Sequence, residues 1–131
     1  MPDTLISKNS PHSVAETIDR LSAAVESAGA KIFARVDHAG GAASVDMALR
    51  PTQMLMFGNP KLGTPAMQSA QTLGLELPLR VLAYQNEAGD VIVSYNNPMD
   101  TAAAHNADAD LDVFKKIAGA LEALTNKAIS G

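Results

Sequence analysis

The residues best placed to bind a ligand form a loop between an apolar stretch and a predicted helix: Gly58, Asn59, Pro60, Lys61, Leu62, Gly63 and Thr64. Backbone N–H groups in such a loop, with the N-terminus of the following helix, can hold an anion, and Lys61 adds a positive charge. The spacing of Gly58 and Gly63 is that of a P-loop. Thr64 stands where the phosphate-binding lysine would be, which excludes a nucleoside triphosphatase.

The same loop also has a purely structural interpretation. Asn59-Pro60 is a common β-turn pair, and Thr64-Pro65 is a common start of a helix. In the functional interpretation, Asn59 and the loop backbone bind a small polar or anionic molecule, and Lys61 neutralises its charge.

The pair Asp37-His38 is the second candidate, because histidine titrates near neutrality and is a natural acid–base residue. Neighbours on a strand point to opposite faces, so the two act together only if the strand ends between them. If the strand continues, His38 lies beside the core as a hydrogen-bonded structural residue. An acid–base role requires His38 to reach the loop at Gly58–Lys61.

Two arginines next to predicted strands, Arg50 and Arg80, are candidates for binding a carboxylate or phosphate. Ion pairs with Asp46 or Glu76 are the structural alternative. Of the two, Arg80 is included in the predicted ligand site, where strand alternation places Tyr84 on its face.

No metal ion or cofactor is predicted. The three histidines, His12, His38 and His105, lack the spacing of a metal site, and the chain has no cysteine. His12 and His105 are predicted to be solvated near the ends of helices. The absence of cysteine also excludes disulfides, iron–sulfur clusters and a cysteine nucleophile.

Composition limits the classes of partner. The chain has 131 residues, which predicts a single domain, 1–131. Ten Lys and Arg stand against fourteen Asp and Glu, and there is no tryptophan, so a nucleic-acid partner is not expected. The N-terminal residues show no secretory signal, and no apolar stretch is long enough to cross a membrane. We therefore expect a cytoplasmic protein.

Hydrophobic periodicity predicts the element order β-α-β-α-β-α-β-β-α-α. Two long amphipathic helices are expected, one from Ser10 or Ser13 to Gly29 and one from near Asp108 or Asp110 to Lys127. Asn97-Pro98 is predicted to cap a short helix before the second of these. The strands are predicted at 4–8, 31–37, 53–57, 79–85 and 90–96, the last two forming a hairpin. The predicted fold is α+β: a single mixed, largely antiparallel sheet of about five strands, two long helices on one face and short connecting helices.

Strand alternation predicts a sheet that is apolar on both faces. Ile32, Ala34 and Val36 would share one face, and Met54 and Met56 would share one face of the next strand. The two long helices can cover only one side. A homodimer is the simplest way to cover the other.

Several blocks of the chain resemble one family. They are Asp37-His38, Leu49-Arg50-Pro51-Thr52, Phe57-Gly58-Asn59-Pro60-Lys61-Leu62-Gly63-Thr64, Leu77-Pro78-Leu79-Arg80-Val81-Leu82 and Tyr95-Asn96-Asn97-Pro98. In order and spacing they are similar to the Domain of Unknown Function 302 family. Glu76 stands where that family usually has Asp, and Gln85 where it often has an acidic residue. The resemblance implies a compact α+β fold, a bacterial or archaeal source and homodimers, and it implies no particular activity.

Three functional hypotheses remain. The first is a dimeric domain that binds a small polar or anionic ligand, or acts as an accessory protein, through Asp37, His38, Gly58, Asn59, Pro60, Lys61 and Arg80. The second is an enzyme in which His38 is the general base and the loop holds an anion. The third is a structural or partner-binding dimer with no small-molecule site.

Overall fold

The computed structural model of this chain describes residues 4–131, so the first three residues of the predicted domain 1–131 lie outside the described part. The strands are β1 Leu5–Ser10, β2 Lys31–Asp37, β3 Thr52–Gly58, β4 Leu79–Gln85 and β5 Val91–Asn96. The helices are α1 Val14–Ser27, α2 His38–Ala43, α3 Pro60–Ser69, α4 Pro98–Ala104 and α5 Asp112–Ile129. A short 3-10 helix, Gln71–Leu75, follows α3. The predicted element order is confirmed.

All five strands form one sheet in the order β1-β5-β4-β3-β2. Every pairing is antiparallel. The sheet is therefore not mixed, and the rest of the predicted α+β fold is confirmed. The hairpin of β4 and β5 turns at Gly89, whose φ of +89° favours glycine.

The long helices form at the residues that the sequence signals indicate. Of the two predicted starts for α1, the structure uses Ser13, whose hydroxyl accepts a hydrogen bond from the Glu16 N–H. The helix ends before Gly29, which has a φ of +77°. α5 begins at Asp112, two residues after the later predicted start, Asp110.

The core lies between one face of the sheet and a layer of helices. α5 contacts α1, α3 and α4, and α1 also contacts β3 and β4. The central buried side chains are Ile18, Leu21, Val25, Leu55, Phe57, Val81, Val93, Phe114 and Leu121. The two long helices thus cover one face of the sheet, as predicted.

A polar group is built into one side of this core. The Lys8 ammonium donates to the Thr125 hydroxyl, at 2.7 Å, and lies 5.9 Å from the centre of the Tyr95 ring. Burial lowers the pKa of Lys8, an effect that nearby Glu122 opposes. Burial likewise raises the pKa of Tyr95, against a hydrogen bond with Thr125. These contacts tie β1 and β5 to the last turns of α5.

The opposite face of the sheet is largely apolar and lies away from the helix layer. Strand pairing and alternation place the following side chains on it: Ala34, Val36, Thr52, Met54, Met56, Arg80, Leu82, Tyr84, Ile92 and Ser94. We call this set the open face. Ile92 is only 9% exposed, yet it does not belong to the core cluster on the helix side.

A β-bulge corrects one predicted side-chain direction. The register shifts between Ile32 and Ala34, so Ile32 pairs with Phe57 while Ala34 pairs with Met56. Phe57 faces the core and Met56 the open face, so Ile32 no longer shares a face with Ala34. The extra residue, Phe33, is left 51% exposed.

The start of α3 also differs from one prediction. The helix begins at Pro60, and Asn59 caps it by accepting from the Lys61 N–H. Thr64-Pro65 therefore does not start a helix but lies inside one. Proline has no N–H, so Pro65 cannot donate to the carbonyl group of Lys61, but the established cap sets the helix start.

Candidate functional site

A cavity of about 270 Å³ opens beside the loop that the sequence singled out. Its wall comes from the β2 bulge, the β3–α3 loop, α3, the 3-10 helix, the start of β4 and α5. The lining residues are Phe33, Gly58, Asn59, Pro60, Leu62, Gly63, Thr64, Met67, Gly74, Leu77, Pro78, Leu79 and Ile117. None of them is charged, so the space suits an apolar group.

Three glycines help to keep this cavity empty. Gly58, Gly63 and Gly74 all line it, and none has the positive φ that favours glycine. A Cβ atom at each would meet its nearest neighbour at 3.5 to 3.7 Å, an ordinary contact. Gly63 lies in a helix, where glycine is destabilising relative to alanine by about 1 kcal/mol. Since backbone geometry does not require these glycines, we attribute them to the space that they leave.

The loop itself does not form an anion cradle. Pro60 has no N–H, the Lys61 N–H donates to the Asn59 side chain, and the N–H groups of Leu62 and Gly63 donate to the Asn59 carbonyl. The first amides of α3 are therefore already paired. The Lys61 side chain is exposed and does not line the cavity.

The exposed ring of Phe33 forms part of the cavity wall. Its edge lies about 3.7 Å from where a Cβ atom of Gly58 would stand, and Lys31 Nζ lies 5.2 Å from the ring centre. The bulge that turns Phe33 outward thus supplies an aromatic wall and a nearby cation.

Asp37 and His38 lie far from the loop. Asp37 pairs with Gln53 and Lys31 with Gly58, so the two candidate groups are at opposite ends of β2 and β3. Five residues of strand separate these ends by about 17 Å. His38 therefore lies too far from the loop for the acid–base role that the sequence suggested.

The structure gives Asp37 a local role instead. Asp37 caps α2 by accepting from the Gly40 N–H at 2.9 Å, and His38 is the exposed first residue of that helix. A Cβ atom on Gly40 would lie 2.7 Å from the Asp37 carboxylate. Gly40 therefore allows this cap to form.

Arg80 lies in a different cluster. Arg80 Nη2 is 3.6 Å from Glu76 Oε2, His105 Nε2 is 3.7 Å from Glu76 Oε1, and His105 Nδ1 is 2.8 Å from Thr72 Oγ1. The predicted pairing of Arg80 with Glu76 is thus observed. Arg50, by contrast, donates to the Gln85 carbonyl at the other end of β4.

His12 and His105, which were predicted to be solvated near helix ends, are less exposed than predicted. The side chains of His12 and His105 are 15% and 16% exposed. His12 Nε2 lies 2.7 Å from the Ser130 carbonyl, so it links the start of α1 to the end of α5. Within residues 4–131, no three His, Asp or Glu side chains are grouped closely enough to hold a metal ion.

Comparison with known proteins identifies the family. The pattern of DUF302, a domain of unknown function, matches residues 6–124. The chain belongs to the DUF302 family. A crystal structure of an uncharacterized conserved DUF302 protein from Bacillus stearothermophilus has the same fold, with a TM-score of 0.86 over 97% of this chain and 99% of that one at 17% identity.

Curated relatives share more sequence with this DUF302 chain but are longer. Fluoride-specific ion channel FluC 1 of Brucella suis biovar 1 is 43% identical over 112 residues, which are 86% of this chain and 44% of that protein. Fluoride-specific ion channel FluC 2 of Brucella melitensis biotype 1 gives the same identity over 42% of its length. The chain thus spans less than half of these relatives. In residues 4–131, no helix combines the length and apolarity that crossing a membrane requires.

Sequence reasoning located the loop but missed the cavity beside it. The lining residues come from six separate elements, so no spacing along the chain connects them. One signal was available: Asn59-Pro60 is the same dipeptide as Asn97-Pro98, and a helix that starts there contains Gly63.

Proposed function

We propose that this DUF302 chain is a ligand-binding accessory domain and that the cavity beside Gly58–Thr64 is its binding site. The observation that carries the proposal is the set of three lining glycines whose backbone conformations do not need glycine. A cavity maintained at a cost in helix stability is best explained by something that enters it.

The size and lining of the cavity favour an apolar ligand of modest length. A cavity of about 150 Å³ in another protein holds benzene, so 270 Å³ accommodates roughly ten carbon atoms. Only Asn59 and Thr64 contribute polar side chains to the wall. A wholly polar ligand, as first expected from the loop, would lose too many hydrogen bonds with water on entering.

The polar residues near the cavity favour a ligand with one anionic end. The Asn59 side-chain oxygen is used by the cap, which leaves its NH₂ group to donate. Lys61 is exposed between two lining residues, and Lys31 lies against the Phe33 ring. These groups would bind the carboxylate of a medium-chain carboxylic acid such as decanoate while its chain fills the cavity.

A pair of glycine substitutions tests the proposal. Gly63→Ala places a methyl group in the cavity, whereas Gly119→Ala places one in open space on α5. Both remove a helix glycine, so we expect each to raise the free energy of unfolding by about 0.5 to 1 kcal/mol. Gly63→Ala alone should weaken decanoate binding, as measured by isothermal titration calorimetry and urea denaturation.

The two variants also show how the proposal would fail. If Gly63→Ala bound decanoate as tightly as the parent chain, the cavity would not be the binding site. If the parent chain bound neither decanoate nor shorter carboxylates, the ligand class would be wrong.

We further propose that the functional unit is a homodimer formed through the open face. Its central side chains, such as Met54 and Leu82, are uncharged, and the charge of Arg80 near the start of β4 is offset by Glu76 at 3.6 Å, which limits like-charge repulsion with a second copy. Next to it, the segment between α2 and β3 exposes Val45, Met47 and Leu49, which are 64%, 67% and 50% exposed. Contact of this segment with the second copy would bury these side chains as well.

A role beside a fluoride channel is a second candidate function. Its support is the 43% identity between this chain and part of Brucella proteins named fluoride-specific ion channels. We expect the purified chain to co-elute with a detergent-solubilised fluoride-specific channel in size-exclusion chromatography. Separate elution at every fluoride concentration tested would contradict this role.

A further inference from the structure

A second, smaller cavity lies where two strands diverge. β4 and β5 pair only as far as Leu82 and Ser94, although β4 begins at Leu79 and β5 continues to Asn96. Arg80 and Asn96 line a cavity of about 60 Å³ at this divergence. Its inner wall is apolar and includes Leu79, Phe114, Ile117 and Leu121.

Opposite charges lie together at this cavity. Glu76 and Arg80 both line it, and their charged atoms are 3.6 Å apart. That distance is too long for a hydrogen bond, and so is the 3.7 Å between Glu76 Oε1 and His105 Nε2. The guanidinium donors and the carboxylate acceptors are therefore available to a ligand, while Thr101 and Asn96 add polar side chains.

We infer that this cavity binds a small α-amino acid with an apolar side chain. The Arg80 guanidinium would bind the ligand carboxylate, the Glu76 carboxylate its ammonium group, and the apolar wall its side chain. On the scale by which about 150 Å³ holds benzene, a cavity of about 60 Å³ holds roughly two to three carbon atoms, which suits a side chain no larger than that of valine.

The charge balance favours a zwitterion over a simple acid or amine. A monocarboxylate would pair with Arg80 but place its charge beside Glu76, and an amine would do the reverse. An α-amino acid satisfies both groups and adds no net charge. On the other side of Glu76, His105 Nε2 lies 3.7 Å from Oε1, and the His105 ring is hydrogen-bonded to Thr72.

This inference is independent of the proposed decanoate site. The two cavities share only Leu77, Leu79 and Ile117 among their lining residues. The test is an NMR titration of the full chain with L-valine and with two analogues, 3-methylbutanoate, which lacks the ammonium group, and isobutylamine, which lacks the carboxylate. We expect valine to bind about tenfold or more tightly than either analogue, because each loses a charged hydrogen bond.

Matched variants identify the residues. Arg80→Gln and Glu76→Gln should each weaken valine binding about tenfold or more, while Arg50→Gln, which removes an exposed guanidinium elsewhere, should not change it. Both site residues are partly exposed, so the variants should fold, which circular dichroism checks. Equal affinity for valine and 3-methylbutanoate, or the absence of a saturable shift with valine, would overturn the inference.

Discussion

At the scale of single residues, glycine serves different purposes at different positions of this chain. Gly29 and Gly89 have positive φ angles, and Gly40 makes room for the Asp37 cap. Gly58 and Gly63 instead leave space for a cavity. The sequence does not separate these cases, because a glycine's surroundings are set by residues far along the chain.

The shifted pKa of Tyr95 predicts a pH dependence of stability. Burial raises the pKa above 10.0, so the unfolded chain loses the phenol proton at a lower pH than the folded chain does. The stability that Tyr95 contributes is thus complete below about pH 10 and is lost as the pH rises through the folded-state pKa. Tyr95→Phe should be less sensitive to this rise, as measured by urea denaturation at about pH 9 and about pH 11.

Lys8 must be considered in the same experiment, since its pKa is lowered and its effect has the opposite sign. The parent and Tyr95→Phe both retain Lys8, so the difference between them isolates the phenol. A difference that stays constant from about pH 9 to about pH 11 would contradict the account.

At the scale of elements, local signals predicted most of the fold. Ser13, Gly29 and the hairpin turn are where the sequence indicates them, and the Asn97-Pro98 helix start is confirmed. The same dipeptide at Asn59-Pro60 was open to interpretation as a turn. Both pairs begin helices, because in each the asparagine side chain accepts an N–H two residues later.

The bulge in β2 shows where strand alternation fails. Strand alternation predicts that Ile32, Ala34 and Val36 share one face. The additional residue Phe33 instead places Ala34 and Val36 on the face opposite to Ile32. The bulge has no clear sequence signal, since Phe33 fits a regular strand as well. It nevertheless brings an aromatic ring to the cavity wall.

The two asparagine caps allow a matched test of the cavity wall. Asn59→Ala and Asn97→Ala each remove one cap, so each should lower the free energy of unfolding by about 1 kcal/mol. Only Asn59 lines the larger cavity, so only Asn59→Ala should also weaken decanoate binding. Unchanged stability in Asn59→Ala, measured by urea denaturation, would show that this cap does not hold α3.

At the scale of the whole molecule, the candidate site predicted from sequence is divided among three places. The Asp37-His38 pair is at one end of β2, the loop is at the other, and Arg80 is in the smaller cavity. The sequence identified residues with suitable chemistry but not the distances between them in the fold. Those depend on strand register and on how separate elements meet.

The proposed dimer predicts the effect of a charge on the open face. Leu82→Asp places a carboxylate at the centre of that face, where a second copy would bury it. If the parent chain is a dimer, the variant should sediment as a monomer, at half the mass of the parent, and its circular dichroism should be unchanged. Lys116→Asp, an exposed position on α5 in the helix layer, serves as a control and should remain dimeric. A parent chain that sediments as a monomer would contradict the proposal.

The central claim is that the larger cavity is a binding site, and an NMR titration with decanoate tests it most directly. Gly58, Gly63 and Gly74 line the cavity, and glycine amides serve as built-in reporters. The account predicts saturable shifts at these three amides and little change at Gly119, which lies in open space on α5. Absence of saturable shifts, or shifts confined to the open face, would contradict it.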